Sequence, residues 1–121
     1  MAKTILIVDD STSLRQVARM ALTAVGYNVI EAGDGKAALA LLDGRQINLA
    51  ICDVNMPVLN GIEFVKAVKL LPNYKFLPIM MLTTESQDEA RNQGKAAGAR
   101  AWMVKPFAPS QLVSAADKLC T

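Results

Sequence analysis

Residues 4–10 read Thr-Ile-Leu-Ile-Val-Asp-Asp, a β-branched and continuously apolar run that stops on two carboxylates. A run without alternation is what a strand buried on both faces looks like. Immediately after it, Leu14, Val17, Ala18, Ala21, Leu22 and Val25 recur at helical spacing. The Ser11-Thr12-Ser13 cluster supplies an N-cap, with Ser13 and Gln16 fitting a capping box, and Gly26 stands where a C′ glycine ends a helix. The opening is therefore a buried strand, a polar strand end and an amphipathic helix.

The same unit repeats along the chain. Strands are expected near 28–32, 48–52, 79–82 and 101–104, and helices near 36–42, 62–70, 86–97 and 109–119, with Pro109 suited to a first turn. Five strands alternating with five helices predict an α/β, doubly wound parallel sheet covered on both faces by right-handed crossovers. In such sheets ligands bind beyond the carboxyl ends of the strands. Those ends carry Asp9-Asp10, Ala32-Gly33-Asp34, Asp53-Val54-Asn55, Thr83-Thr84 and Lys105-Pro106. The second, with glycines flanking Asp34, reads as a plain turn.

Composition excludes much else. The 121 residues are expected to form one domain spanning 1–121, and 52% hydrophobic content is enough for a core. No apolar run approaches the roughly 18 residues of a membrane span, and the acidic pair comes too early for a signal peptide. Two cysteines make no disulfide framework, which points to the reduced cytoplasm. The absence of histidine removes Ser-His-Asp and Cys-His triads, the usual zinc sites and any phosphohistidine carrier. A net charge of +2 from scattered basic residues predicts neither nucleic acid nor membrane as a partner.

The strand ends then define a site. If the strand order is 2-1-3-4-5, Asp9, Asp10 and Asp53 converge. Two carboxylates about 4 Å apart repel by about 4 kcal/mol at an effective dielectric near 20, so one binds a proton or a cation sits between them. A set of oxygen ligands favours a hard ion, Mg²⁺ before Ca²⁺. The competing reading, an Asp that only caps the first helix, accounts for one carboxylate but not for three. Lys105 reaches the same place from the fifth strand, where a cation compensates an incoming phosphoryl group. Lys-Pro at that point also suits a turn, sometimes through a cis bond. Thr83 is placed to donate its hydroxyl to something bound above the sheet. Thr84 is equally suited to capping the next helix, in which Glu85 and Asp88 match the dipole. Period-two alternation sets Trp102 on the opposite face from Lys105, near the fourth helix, as a core residue or a movable aromatic. Met80 and Met81 read as core filler.

These residues together resemble the receiver domains of two-component response regulators, and among them the single-domain chemotaxis regulators of the CheY type. The resemblance covers the whole chain and rests on ILIVDDS with Asp9-Asp10, CDVNMP with Asp53, Asn60-Gly61, MLTTE with Thr83, and AWMVKPF with Lys105. Asp53 precedes Thr83 by 30 positions and Lys105 by 52, as in that family. It implies a flavodoxin-like sheet of order 2-1-3-4-5, and Asp53 as phosphoacceptor from a histidine kinase. It further implies Mg²⁺ held by Asp10 and Asp53 directly, by Asp9 mainly through water, and by the Asn55 main-chain carbonyl. Thr83 and Lys105 would hold phosphoryl oxygens. Trp102, where the family usually has Tyr or Phe, would be the switch aromatic. Output would pass through the fourth helix, fifth strand and fifth helix to a protein target such as the flagellar motor switch, from a monomer. With Asp9, Asp10, Asp53 and Lys105 set aside, 12 of the 13 basic and 8 of the 11 acidic residues remain, which favours a more acidic partner.

Three alternatives stand beside a stand-alone chemotaxis switch. The chain fits a phosphorelay intermediate or the receiver of a transcription factor. Asn55 two after Asp53 and Glu85 two after Thr83 favour the stand-alone switch by their resemblance to the chemotaxis regulator. A haloacid-dehalogenase-type phosphatase also uses a strand-end Asp with Mg²⁺, Thr and Lys. That chemistry wants an acid where Asn55 stands, so independent substrate turnover is not expected.

Overall fold

The computed structural model describes residues 2–56, 58–84 and 88–120, without the side chains of 88–91. Its strands are β1 (Thr4–Val8), β2 (Asn28–Ala32), β3 (Leu49–Asp53), β4 (Ile79–Thr84) and β5 (Ala101–Lys105), all parallel in the order β2-β1-β3-β4-β5. The helices between and after them are α1 (Thr12–Ala24), α2 (Gly35–Ala40), α3 (Gly61–Lys69), α4 (Asp88–Ala97) and α5 (Pro109–Leu119). The doubly wound, flavodoxin-like arrangement is as expected.

Both faces of the central strands are buried, which explains their unbroken apolar character. Leu6, Val8, Ala50, Cys52 and Met81 face one layer with Ala38 of α2 and Phe64, Val65 and Val68 of α3. Ile5, Ile7, Leu49, Ile51, Met80 and Leu82 face the other, with Ala18 and Leu22 of α1 and Leu112 and Ala116 of α5. Met80 and Met81 are thus core residues on opposite faces. Among the described residues no helix is long and apolar enough to cross a membrane.

Helix ends follow from side-chain chemistry, with three corrections. The α1 cap is Ser11, whose Oγ accepts from the Leu14 N–H at 3.2 Å, so the cap lies two residues before the expected Ser13–Gln16 box. Gly26, at φ +100°, terminates the helix as predicted. Asp34 is more than a turn residue: its carboxylate accepts from the Ala37 N–H at 2.7 Å and caps α2. That helix ends at Ala40, two residues earlier than its apolar pattern suggests, because Leu41 and Leu42 close it with three-residue turns. At α3, Asn60 and Glu63 form a reciprocal capping box with bonds of 2.9 and 3.1 Å. The start of the fourth helix near Ser86, with Glu85, falls outside the described residues, as does the side chain of Asp88.

Register sets the site. Val8 pairs with Cys52, so the next residue on each strand, Asp9 and Asp53, ends side by side. Thr83 pairs with Val104 and Thr84 with Lys105, which brings the ends of β4 and β5 level with them.

Candidate functional site

Asp9, Asp10 and Asp53 each offer a carboxylate oxygen within 4.8 Å of the others. Asp9 is fully buried, Asp53 is 7% exposed and Asp10 is exposed, so the cluster has a closed floor and an open lip. Asp9 is held from below: its Oδ1 accepts from the Ser11 N–H at 2.8 Å, and its main-chain carbonyl accepts from the Arg15 guanidinium. Arg15 and Arg19 in turn share Glu31 of β2, at 3.2 and 2.6 Å. Sequence reading did not find this brace, since the partners lie up to 16 positions apart without a local motif.

Lys105 places its ammonium between two of the three carboxylates, 2.9 Å from Asp9 Oδ2 and 3.3 Å from Asp53 Oδ1. Lys105 thus reaches the acid cluster from β5, as the sequence predicts, and in this structure it neutralises the strand-end acids. Burial acts against the charged ammonium, but the hydrogen bond to Asp9 and the charges of Asp53 and Asp9 outweigh it and raise its pKa. Asp53 is pushed above its ordinary value by burial and by the neighbouring Asp9, while Lys105 and the Asn55 main chain oppose the shift. The Lys105–Pro106 bond is cis. On the sheet's other face, burial pushes the Cys52 thiol far up, with the Asp53 and Asp9 charges adding to it. Cys52 and Cys120 are both free and buried.

Two further groups complete the arrangement. Thr83 is 1% exposed and, among the described residues, its Oγ1 has no hydrogen-bond partner, an orphaned hydroxyl at the end of β4. Such a group is costly to bury unless something binds it. Trp102 is half-buried on the face opposite Lys105, packed with the Cys52–Phe64–Met81 layer. Its indole also meets α4 at Gly94, where a Cβ would lie 3.5 Å from the ring, and its Nε1 is buried without a partner among the described residues. Gly94 carries no sequence signal, since a lone glycine in a helix gives no hint that it faces an indole. Asn55 is exposed at the lip.

The β3–α3 connection explains the Asn60-Gly61 pair. A Cβ on Gly61 would lie 2.2 Å from the Asp53 carbonyl oxygen and 2.9 Å from the Val54 Cα, so only glycine lets α3 approach the end of β3. Before it, Val58 takes φ 70°, a left-handed conformation that a β-branched residue seldom adopts.

Three oxygen ligands at a partly open site suit a hard divalent cation, with room for water on the Asp10 side. The orphaned Thr83 hydroxyl and the Lys105 ammonium suit an anion bound next to it.

Comparison with known proteins agrees with this geometry. Residues 5–117 match the family model of the response regulator receiver domain. The chain is 34% identical over 116 residues to the chemotaxis protein CheY-3 of Vibrio cholerae serotype O1, covering 95% of this chain and 89% of that protein. It is also 35% identical to the phosphate regulon transcriptional regulatory protein PhoB of Pseudomonas aeruginosa, covering 94% of this chain and 50% of that protein. The solved structure of the chemotaxis response regulator CheY4 of Vibrio cholerae superposes with a TM-score of 0.93 at 46% identity, covering 98% of this chain and 99% of that one. With its strand-end acids, threonine and lysine in register on this sheet, the chain belongs to the CheY-like response regulator receiver domains.

Proposed function

We propose that the chain is a phosphorylation-driven signalling switch in which Asp53 accepts a phosphoryl group from a phosphohistidine of a partner kinase. The observation that carries this is the Lys105 ammonium lying between Asp9 and Asp53, with the Thr83 hydroxyl, unpartnered among the described residues, at the next strand end. Asp53 attacks phosphorus, the new oxygen–phosphorus bond forms as the phosphorus–nitrogen bond to the donor imidazole breaks, and an aspartyl phosphate results. Asp10, Asp53 and the Asn55 main-chain carbonyl would hold Mg²⁺ directly and Asp9 through water, and the ion would neutralise phosphoryl oxygens. Asp9 and Asp53 then need Lys105 less, and its ammonium turns to the phosphoryl group. The Thr83 hydroxyl donates to the same group and gains the partner it lacks.

The signal is read on the other face. Thr83 and Trp102 lie on the same side of the sheet on adjacent strands, since Met81 pairs with Trp102 and Thr83 with Val104. Displacement of Thr83 toward the phosphoryl group opens space into which the indole turns, altering the surface of α4, β5 and α5 for a protein target. The chemotaxis relatives and the Asn55 and Glu85 positions support a stand-alone chemotaxis switch. In this reading it acts as a monomer in the cytoplasm on a target such as the flagellar motor switch. The transcriptional relative keeps open the reading of a receiver for a longer regulator.

The test is incubation with a small acyl phosphate and Mg²⁺. One alkali-labile phosphoryl group per chain is expected, and none after chelation of the metal. Sustained hydrolysis of a phosphate monoester would overturn the proposal in favour of a phosphatase.

A further inference from the structure

From Phe64 to Thr84, and again from Asn92 to Ala116, the chain contains no acidic residue. Helices of this fold run against the strands, so the C-terminal ends of α3 and α4 lie at the pole away from Asp53. Their cations meet at one corner. The stem of Lys69 crosses the end of α4, 2.9 Å from where a Cβ on Gly98 would sit, and its ammonium donates to the Leu77 carbonyl at 3.0 Å. Burial and the nearby Arg100 hold Lys69 below its ordinary pKa. Lys95 stands in the last turn of α4, and the Lys75 ammonium lies 5.1 Å from the centroid of the Phe76 ring. On the same α3–β4 connection, Leu70 is 83% and Phe76 79% exposed. Two exposed apolar side chains on a connection flanked by cations offer the apolar and charged parts that an interface combines.

We propose that this corner is a second docking surface, for an acidic segment of a partner protein that carries apolar side chains, and that it works without phosphorylation. Charge complementarity demands an acidic partner. Geometry selects a polypeptide over an anionic lipid surface. Lys69 is fixed on the Leu77 carbonyl and is not free to follow a lipid headgroup, and the two exposed apolar side chains, Leu70 and Phe76, offer a bilayer little area to insert. An acidic chain with apolar side chains satisfies ring and cation together, on a preorganised surface.

The experiment titrates the isotope-labelled full chain, followed by NMR, with a short synthetic peptide of Asp-Glu-Leu-Phe repeats at about 50 mM salt. Saturable shifts confined to residues 66–77 and 95–100 are expected from the unphosphorylated protein. Affinity is expected to fall roughly tenfold at about 500 mM salt, and by a similar factor in Lys75→Glu/Lys95→Glu. Phe76→Ala is expected to lose about threefold while keeping the salt dependence. These positions are exposed, and unchanged circular dichroism checks that the variants fold. Shifts spread over the acidic pole, no saturation at millimolar peptide, or wild-type affinity in the charge-reversed variant would each overturn the proposal. So would shifts at this corner with vesicles of equal phosphatidylglycerol and phosphatidylcholine but none with peptide, which would assign it to lipid.

Discussion

Replacing Lys105 by methionine removes the charge that joins Asp9 to Asp53 while keeping an apolar stem of similar length. In the structure that ammonium lies 2.9 Å from one carboxylate and 3.3 Å from the other, with Asp9 0%, Asp53 10% and Lys105 21% exposed in their side chains. At an effective dielectric near 20 each contact is a gross attraction of about 5 kcal/mol. Most of that is offset by the desolvation of the three groups. Removing one partner of a buried pair typically costs 3–5 kcal/mol, and partial exposure of Lys105 lowers the expectation to about 2–3 kcal/mol. This is a large share of the roughly 5–15 kcal/mol that holds a domain together. Urea unfolding in a chelating buffer near neutral pH, followed by far-ultraviolet circular dichroism, measures it.

The loss carries a pH signature. Asp53 already titrates above its ordinary value of 3.8, raised by burial and by Asp9. A carboxyl raised on folding binds its proton more tightly in the folded chain, so its contribution to stability is largest in acid and declines as pH rises through the folded value. Without Lys105 that value rises further, and the gap between variant and wild type should widen from acid towards neutral pH. Mg²⁺ affinity should rise roughly tenfold, the equivalent of about 1.4 kcal/mol, because a cation no longer competes for the same carboxylates. A variant as stable as wild type in chelator, or one that binds Mg²⁺ more weakly, would refute the reasoning.

Trp102 is the single tryptophan and packs against Gly94 of α4, so adding Mg²⁺ with a phosphoryl analogue should change its fluorescence; an unchanged spectrum at saturation would make it a passive packing residue. Val58→Gly should stabilise the fold by about 1 kcal/mol in urea unfolding, since glycine accepts φ 70° at which valine is strained. Gly61→Ala should destabilise by more than 2 kcal/mol, roughly, because its Cβ would fall 2.2 Å from the Asp53 carbonyl oxygen; the same unfolding experiment reads it. Lys105→Arg keeps the charge but not the compact head, so Asp53 should still accept a phosphoryl group, more slowly, while affinity for a target of the α4–β5–α5 surface no longer rises. Equal affinity of the phosphorylated variant and wild type would reduce Lys105 to a charge.

Sequence reading recovered those parts of the fold that repeat with a period. Ile5, Ile7, Leu49 and Ile51 announce a doubly covered sheet because both their faces are buried, and strand-end chemistry then singles out Asp9, Asp10, Asp53, Thr83 and Lys105. What escaped depends on contacts between distant segments. Arg15 and Arg19 on Glu31 and the indole of Trp102 on Gly94 have no local spacing to reveal them. Within the Ser11-Thr12-Ser13 cluster Ser11 and Ser13 offer the same hydroxyl, and only the direction in which the chain leaves β1 selects Ser11 over the Ser13–Gln16 box. The apolar pattern carries α2 on to Leu42 because Leu41 and Leu42 continue it, while their N–H groups already close tighter turns.

The central claim is that Asp53 is the phosphoacceptor. The most direct measurement treats the chain with an acyl phosphate and Mg²⁺, reduces the product with borohydride and maps the modified residue by peptide mass spectrometry. The account predicts homoserine at Asp53 alone, and no modification in Asp53→Asn. Homoserine at Asp9 or Asp10 in the wild type, or equal phosphoryl labelling of Asp53→Asn, would contradict it.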